Sequence, residues 1–236
     1  MNTGAIRAVP RVGLGLMVII GLSACRSVET ETVKAPATNA GMNPGTSLPG
    51  VVDLTGHSVN PFQMAPARAV LFIFVRTDCP VANRYAPEIE RLYRRFAPRD
   101  IACWLVYPDA DTTPEEIRRH LHDYRLSLKA LRDPRHELVK RAGVSVTPEA
   151  ALFLPEGVEV YHGRIDDRCI EFGKERPEPT QHDLEDALTA VLQGKPIARA
   201  STPAVGCYIP ELSLHDQAKS EGDNSGHKTG ETEPQK

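Results

Sequence analysis

Two continuous apolar runs, separated by a stretch with helical spacing, constrain the fold of this chain more than any other feature. The runs span residues 69–75 (AVLFIFV) and 101–107 (IACWLVY), and each is typical of a strand buried on both faces of a sheet. Between Pro80 and Phe96, apolar residues recur at helical spacing: Tyr85, Ile89, Leu92, Tyr93 and Phe96. A buried strand, a helix and a second buried strand predict a parallel βαβ unit.

The chain continues this alternation of strands and helices to about residue 194. Thr113 can cap a helix that runs to about Tyr124, because Pro114 suits its first turn and Glu116 completes a capping box. The remaining predicted elements are a short strand and hairpin at 51–54, a strand at 127–131, a helix at 137–142, strands at 150–154 and 158–164, and a helix at 183–192. The sequence therefore predicts an α/β fold whose central mixed sheet, flanked by helices, has parallel strands in the middle and a final antiparallel hairpin.

The N-terminus has the pattern of an export signal. Arg7 and Arg11 precede an apolar run over residues 12–24, which is too short to span a membrane comfortably and fits the core of a signal peptide. The run ends in Leu-Ser-Ala-Cys25, which resembles the bacterial lipobox. The resemblance implies cleavage after residue 24 and a lipid on Cys25; the alternative is an ordinary signal peptide with a coincidental cysteine. We expect a lipoprotein that faces the periplasm or the cell exterior, on the outer membrane if the cell has two, because Arg26 follows the cysteine.

Composition divides the rest of the chain. Residues 25–47 read as the lipidated cysteine and a flexible tether, 48–194 as the folded domain, 195–212 as an extension that carries Cys207, and 213–236 as a disordered tail. The formal charge is 28 − 31 = −3, which argues against a protein dedicated to binding nucleic acid.

Cys79 lies where the first buried strand ends and the long helix begins. Pro80 fits the first helical position, so Cys79 is expected at the helix N-terminus, where unpaired N–H groups and the helix dipole favour an anion. A thiolate is such an anion, and this setting lowers the pKa of a cysteine. Asp78 opposes that effect, and Arg76 is expected to offset Asp78.

A second motif extends the pattern into a family resemblance. Thr147-Pro148, just before a predicted strand, resembles the cis-proline loop of thioredoxin-like proteins, in which this loop faces the cysteine. Residues 48–194 thus resemble the thioredoxin superfamily, and within it the redoxin branch (alkyl hydroperoxide reductase / thiol-specific antioxidant). The Cys79-Pro80-x-x-Asn83 motif, the stretch 164–168 (RIDDR) and a late Gly206-Cys207 are similar to bacterial exported redoxin-domain proteins. The resemblance implies a thioredoxin-like fold and a redox-active cysteine.

Three positions depart from the standard partner patterns. Thioredoxins carry a second cysteine three residues after the first, and Ala82 stands there. Peroxiredoxins place Thr or Ser three residues before the reactive cysteine, and Arg76 stands there. Copper-delivering relatives carry a cysteine four residues on, and Asn83 stands there. Cys79 therefore needs a partner from elsewhere in the chain or from outside it.

The other cysteines offer several partners. Cys207, after the last helix, is a candidate resolving thiol for Cys79, although a structural disulfide or a free packed thiol is also open. Cys169 follows the last strand and pairs with Cys207 or with nothing. Cys103 lies inside a buried strand and is expected to pack as a small apolar residue. Sequence alone leaves the pairing open.

Several polar residues are weaker candidates. Arg164 is a candidate for stabilising the Cys79 thiolate, with a solvated turn as the alternative. Glu149 follows the Thr-Pro motif and either faces Cys79 or is half-exposed, whereas His162 is a remote candidate for binding copper with Cys79. His120 and His122 are expected to be solvated on a polar helix face.

Two functions are compatible with these features. The first is an exported thiol-disulfide oxidoreductase or thiol peroxidase, in which Cys79 attacks as the thiolate and Cys207 or an external thiol reductant resolves the product. Pro80, Thr147, Pro148, Arg76 and Arg164 would support the site, with no cofactor and no metal. The second is a non-catalytic thioredoxin-fold module that binds a membrane-associated partner or copper. The reactivity of Cys79 distinguishes the two.

Overall fold

A computed structural model describes residues 48–63 and 67–212. Nine strands and four α-helices follow one another within these residues. The strands are β1 (Ala69–Phe74), β2 (Ile101–Tyr107), β3 (Lys129–Arg132), β4 (Val146–Thr147), β5 (Glu149–Phe153), β6 (Glu159–Gly163), β7 (Cys169–Glu171), β8 (Lys174–Glu175) and β9 (Cys207–Tyr208). The helices are α1 (Pro80–Phe96), α2 (Pro114–Asp123), α3 (Glu137–Ala142) and α4 (Asp183–Leu192).

Five strands form the central sheet, in the order β3-β2-β1-β5-β6. The β1–β2 and β2–β3 pairs are parallel, whereas β5 runs antiparallel to both β1 and β6. The predicted arrangement of parallel strands followed by an antiparallel hairpin is confirmed. This topology, with helices between the parallel strands, is a thioredoxin-like fold.

The central strand β1 is buried along its whole length because apolar layers cover both faces of the sheet. Leu71 and Ile73 belong to the layer that also contains Ile89 of α1. Phe72 and Phe74 point the other way, as successive strand residues must, into the layer that contains Leu138 of α3 and others. Burial on two faces explains why this strand is a continuous apolar run rather than an alternating pattern.

The helix starts follow the local signals in the sequence. The Thr113 side chain accepts the backbone N–H of Glu116 at 3.3 Å, and the Glu116 carboxylate accepts the backbone N–H of Thr113 at 2.8 Å. This reciprocal capping box begins α2 with Pro114 in its first turn, as predicted. Helix α1 likewise begins at Pro80 and ends at Phe96.

The shortest elements differ from the sequence prediction. The strand predicted at 51–54 is wrong, because Val52 makes only isolated bridges, with Ser58 and with Arg132. Conversely, β4, β9 and the β7–β8 hairpin are additional strands of two or three residues. Such short pairings leave no periodic pattern in a sequence, since their partners are distant along the chain.

The extension after α4 returns to the sheet and passes beside β6. Thr202 N–H donates to the His162 carbonyl at 3.0 Å, and the Thr202 and Tyr161 hydroxyls lie 2.8 Å apart. Gly163 has φ +144°, and a Cβ at this position would lie 2.2 Å from the Thr202 carbonyl oxygen. Residues 201–209, which we call the C-terminal arm, are therefore seated against β6 at a point where only glycine fits.

Several predictions for the two ends of the chain lie outside the described residues. These are the signal peptide (1–24), the lipidation of Cys25, the tether up to residue 47 and the disordered tail (213–236). Within the described part of the chain, no helix is long and apolar enough to span a membrane.

Replacing Gly163 with alanine should loosen the arm. The new Cβ would meet backbone in a region of positive φ, so we expect the free energy of unfolding to fall by about 2–4 kcal/mol. Gly173→Ala is the matched control, because Gly173 also has positive φ (+77°) but a Cβ there meets nothing within 4 Å. Its expected loss is about 1 kcal/mol. Equal losses for the two variants, measured by urea denaturation, would contradict a close approach at Gly163.

Candidate active site

Cys79 is the N-cap residue of α1. Its backbone is extended (φ −82°, ψ 109°), and its Sγ accepts the backbone N–H of Ala82 at 3.3 Å. Pro80 occupies the first turn, where its missing N–H costs no helical hydrogen bond. The side chain is 1% exposed. The placement predicted for Cys79 and Pro80 is confirmed, and the sulfur lies at the positive end of the helix dipole.

The loop that carries Thr147 and Pro148 faces Cys79. The bond between these two residues is cis, as the resemblance implied. In its thiol form Cys79 donates to the Thr147 carbonyl, with 3.0 Å between Sγ and the oxygen. Thr147 is fully buried, so loop and thiol meet in an environment shielded from water.

Glu149 stabilises the backbone that leads into this loop. Its carboxylate accepts the backbone N–H groups of Ser145 and Val146 at 2.9 and 3.3 Å, and it forms an ion pair with His162 at 2.8 Å. The hydrogen bond to Glu149 raises the pKa of His162, against an opposing effect of burial. Glu149 is buried, so the alternative that it is half-exposed is wrong. Its hydrogen bonds to the backbone before Thr147 were not predicted from the sequence.

The C-terminal arm brings Cys207 to Cys79. Strand β9 pairs antiparallel with β4, and Cys207 stands opposite Thr147. The preceding Gly206 permits this approach, since a Cβ there would lie 2.1 Å from the Thr147 carbonyl oxygen. Arg76 holds the next residue by donating to the Tyr208 carbonyl at 3.1 Å. Cys79 and Cys207 therefore both lie against Thr147, close enough for each to shift the pKa of the other.

The two sulfurs of this pair differ in acidity. Burial raises the pKa of Cys79, but the neighbouring Cys207 and Thr147, together with the Ala82 N–H that donates to the sulfur at 3.3 Å, hold it below the ordinary cysteine value. Burial, together with the hydrogen bond to Cys79, raises the pKa of Cys207 to about 11. Cys79 is therefore the more acidic thiol of the pair, and Cys207 is the less acidic one.

The two arginines that were predicted to support the site, Arg76 and Arg164, make different contacts. Arg76 pairs with Asp78 at 3.0 Å and with Asp109 at 3.3 Å, and its charge offsets a small part of the rise that burial causes in the pKa of Cys207. Arg164 instead pairs with the buried Asp183 at 2.7 Å, and its other described side-chain bond goes to Gln181. Arg76 thus bears directly on the thiol pair, whereas thiolate stabilisation by Arg164 stays a prediction.

A small cavity lies beside Pro148. It encloses about 10 Å³, room for about one water molecule, and is lined by Tyr85, Pro148, Arg164, Ile165, Asp166, Cys169 and Val205. The Tyr85 hydroxyl donates to Asp166 Oδ1 at 2.6 Å and accepts the backbone N–H of Cys169 at 3.2 Å. Asp166 is 1% exposed, so the alternative of a solvated turn around it is wrong.

The remaining described cysteines are thiols with high pKa values. Burial raises the pKa of Cys103 to about 12 and also raises that of Cys169. Cys103 lies within β2 in the apolar core, as predicted. Neither sulfur competes with Cys79 as a thiolate.

Among residues 48–63 and 67–212, one group of potential metal ligands lies close together: Glu88, His182 and Glu185. Arg91 forms ion pairs with both carboxylates of this group, and Arg95 forms one with Glu185. These guanidinium groups neutralise the carboxylates, so the group is a surface ion-pair network.

Comparison with known proteins places this geometry in a family. The model of the AhpC/TSA family matches residues 41–162, about half of the chain, including β1, Cys79 and the cis-proline loop. The chain belongs to the AhpC/TSA family. The comparison with curated proteins found no match.

Solved structures support the fold of this AhpC/TSA protein. A hypothetical protein from Sinorhizobium meliloti is 24% identical, with a TM-score of 0.61 over 76% of this chain and 97% of its own. An uncharacterized conserved protein from Geobacillus kaustophilus is 21% identical, with a TM-score of 0.59 over 74% and 95%. A secreted disulfide oxidoreductase from Mycobacterium tuberculosis is 14% identical, with a TM-score of 0.41 over 61% and 93%, too distant a likeness to bear on activity.

The prediction that His120 is solvated in this AhpC/TSA protein is wrong. His120 is 6% exposed rather than solvated, and its ring bonds Tyr107 and Asn83. Its position on α2 suggested solvent because polar residues surround it in sequence. The available signal was Ile117, three residues earlier and one turn back, which marks the buried face of the helix.

The Thr147 hydroxyl gives a test of how the Cys79 pKa is lowered. Thr147→Val keeps the shape of the side chain and removes the hydroxyl, so the pKa of Cys79 should rise. We expect alkylation of Cys79 by iodoacetamide at pH 6 to slow by roughly 2–10-fold, the worth of about one hydrogen bond. Thr147→Ser, which retains the hydroxyl, should react at close to the original rate. An unchanged rate in Thr147→Val would show that the hydroxyl does not act on Cys79.

Proposed function

We propose that this protein is a thiol oxidoreductase in which Cys79 and Cys207 alternate between a dithiol and a disulfide. The observation that carries the proposal is the seating of Cys207 against Cys79 by the β4–β9 pairing. This arm supplies the second cysteine that position 82 lacks.

The acidities of the two thiols assign their roles. Cys79 is the nucleophile of the pair, since the thiolate is the reactive form and Cys79 has the lower pKa of the two thiols. The raised pKa of Cys207 keeps that group protonated until a product forms on Cys79. Cys207 is then the resolving thiol, and a disulfide between the two is the oxidised resting form.

Two oxidising substrates fit this pair of thiols. With a hydroperoxide, the Cys79 thiolate attacks the terminal oxygen, the O–O bond breaks, and the alkoxide or hydroxide that leaves takes a proton from solvent to become an alcohol or water. The resulting sulfenic acid condenses with the Cys207 thiol to give the disulfide and water. With a disulfide substrate, Cys79 forms a mixed disulfide, and Cys207 displaces the second substrate thiol. In both cases two equivalents of an external thiol restore the dithiol.

The burial of Cys79 favours the smaller substrate. Cys79 is 1% exposed beneath the Thr147 loop and the C-terminal arm, whereas Tyr208, next to Cys207, is 78% exposed. A small hydroperoxide can approach Cys79 with little displacement of the arm, while a protein disulfide requires that the arm move. The external reductant meets Cys207 first for the same reason.

Disulfide mapping tests the proposal. We expect one equivalent of hydrogen peroxide to convert reduced protein to a reversible Cys79–Cys207 disulfide, identified by mass spectrometry of the peptides, while Cys103 and Cys169 stay free. Cys207→Ser should stop at sulfenic acid on Cys79, trapped by dimedone. If Cys79 stays an unmodified thiol with both peroxide and a model disulfide, the catalytic reading fails and the non-catalytic binding module takes its place.

Gly206→Ala is a matched variant that keeps both thiols. Its Cβ would clash with the Thr147 backbone, so the arm and Cys207 should move away from Cys79. We expect this variant to behave as Cys207→Ser does, with trapped sulfenic acid and little disulfide. Normal disulfide formation in Gly206→Ala would contradict the seated arm as the source of the pairing.

The proposal extends to where the protein acts. We propose that it is exported and held at a membrane surface by a lipid on Cys25, on the strength of the signal-like residues 1–24 and the Leu-Ser-Ala-Cys25 pattern. An exported location suits a cysteine pair that cycles through a disulfide. Cys25→Ser should abolish incorporation of labelled palmitate and move the protein from the membrane fraction to the soluble fraction. Equal labelling of the variant and the original protein would exclude Cys25 as the anchor.

A further inference from the structure

Three side chains form a hydrogen-bonded chain that ends on the loop before Cys79. The Tyr107 hydroxyl and His120 Nδ1 are 2.8 Å apart, and His120 Nε2 and Asn83 Oδ1 are also 2.8 Å apart. Asn83 Nδ2 then donates to the Thr77 carbonyl at 3.0 Å. The chain runs from β2 through α2 and α1 to this loop, so it ties three elements of the fold to the site.

The last bond fixes the direction of the others. Because Asn83 donates through Nδ2 to Thr77, its Oδ1 faces His120 and can only accept. His120 must therefore donate from Nε2, which leaves Nδ1 to accept from the Tyr107 hydroxyl. Burial lowers the pKa of His120, which favours the neutral imidazole that this arrangement requires.

Asn83 holds both ends of the turn that presents Cys79. Its side chain binds the Thr77 carbonyl, and its backbone N–H donates to the Cys79 carbonyl at 3.0 Å. Between them, the Cys79 N–H donates to the Arg76 carbonyl at 3.3 Å. These bonds fix the extended backbone at Cys79, from which its sulfur faces the Ala82 N–H.

We propose that Asn83, oriented by His120 and Tyr107, is a positioning residue for the Cys79 thiolate. It keeps the turn closed, so that the sulfur stays beneath the helix N-terminus and against Cys207. His120 acts through Asn83: without its N–H donor the amide can rotate and release the Thr77 carbonyl. This inference rests on the proposed function only in taking Cys79 as the reacting group.

Two substitutions of His120 test the proposal. His120→Leu removes both ring nitrogens without changing the charge of the neutral site. We expect the midpoint of the pH profile for iodoacetamide alkylation of Cys79, in the reduced full chain, to rise by about one pH unit. Below that midpoint the rate should fall by about tenfold. His120→Gln should restore most of the rate, because its amide can donate to Asn83 and accept from Tyr107.

His136→Leu is the matched control, because it separates a general loss of stability from a specific effect on Cys79. His136 is an equally buried histidine, and its ring Nε2 lies 3.0 Å from the Pro108 carbonyl. This variant should lose a similar amount of thermal stability and leave the Cys79 midpoint unchanged. Tyr107→Phe removes a single hydroxyl, and it should shift the midpoint in the same direction as His120→Leu if that variant does not fold.

The outcomes separate this proposal from the proposed function. A midpoint in His120→Leu equal to that in His136→Leu, or a folded His120→Gln that restores nothing, would overturn the positioning role. If His120→Leu does not fold, an unshifted midpoint in Tyr107→Phe would also overturn it. Alkylation of Cys79 needs neither a substrate nor Cys207, so these results stand whether or not a Cys79–Cys207 disulfide forms.

Discussion

The pairing of Cys207 with Thr147 is the interaction on which the site depends. Two residues of β9 align with two residues of β4, and this short ladder places a distant cysteine against Cys79. Two further contacts support this pairing. Gly206 has no side chain, so its backbone can lie close to that of Thr147, and Arg76 donates a hydrogen bond to the Tyr208 carbonyl. The site is thus assembled by backbone pairing across the cis-proline loop rather than within one turn of helix.

The acidity of Cys79 follows from how burial is compensated. A cysteine that is only 1% exposed ordinarily has a raised pKa, because removing water destabilises the charged form. Here groups from three elements act on its pKa: the Ala82 N–H at the N-terminus of α1, Thr147 and the arm. Each is fixed by the fold before reaction, so no donor must reorganise when charge develops on the sulfur. Cys103, buried in β2 without such donors, shows the opposite outcome, with a pKa raised to about 12.

Elements that depend on neighbouring residues could be predicted from the sequence. Contacts between residues that are far apart along the chain could not. The run at 69–75 and the Cys-Pro junction predicted β1, α1 and the N-cap position of Cys79, because burial on two faces and a proline at the first turn leave clear signatures. Cys207 was one candidate among several, since nothing along the chain shows that residue 207 meets residue 147. Glu149 and His120 were misjudged for a related reason: their partners, the loop backbone and Asn83, are neighbours only in the folded chain.

Because Cys207 is far from Cys79 along the chain, a disulfide between them would affect the stability of the whole domain. A disulfide between the two cysteines closes a loop of 207 − 79 = 128 residues, which includes four of the five central strands and all four helices. In the chain-entropy model, closing a loop of this size restricts the unfolded ensemble by about 4–5 kcal/mol. Oxidation would then stabilise the folded domain against unfolding, and reduction would remove that stabilisation. By thermodynamic linkage, any interaction that stabilises the folded domain more in the disulfide form than in the dithiol form makes the disulfide harder to reduce by the same free energy. The reduction potential is in this sense a property of the entire domain.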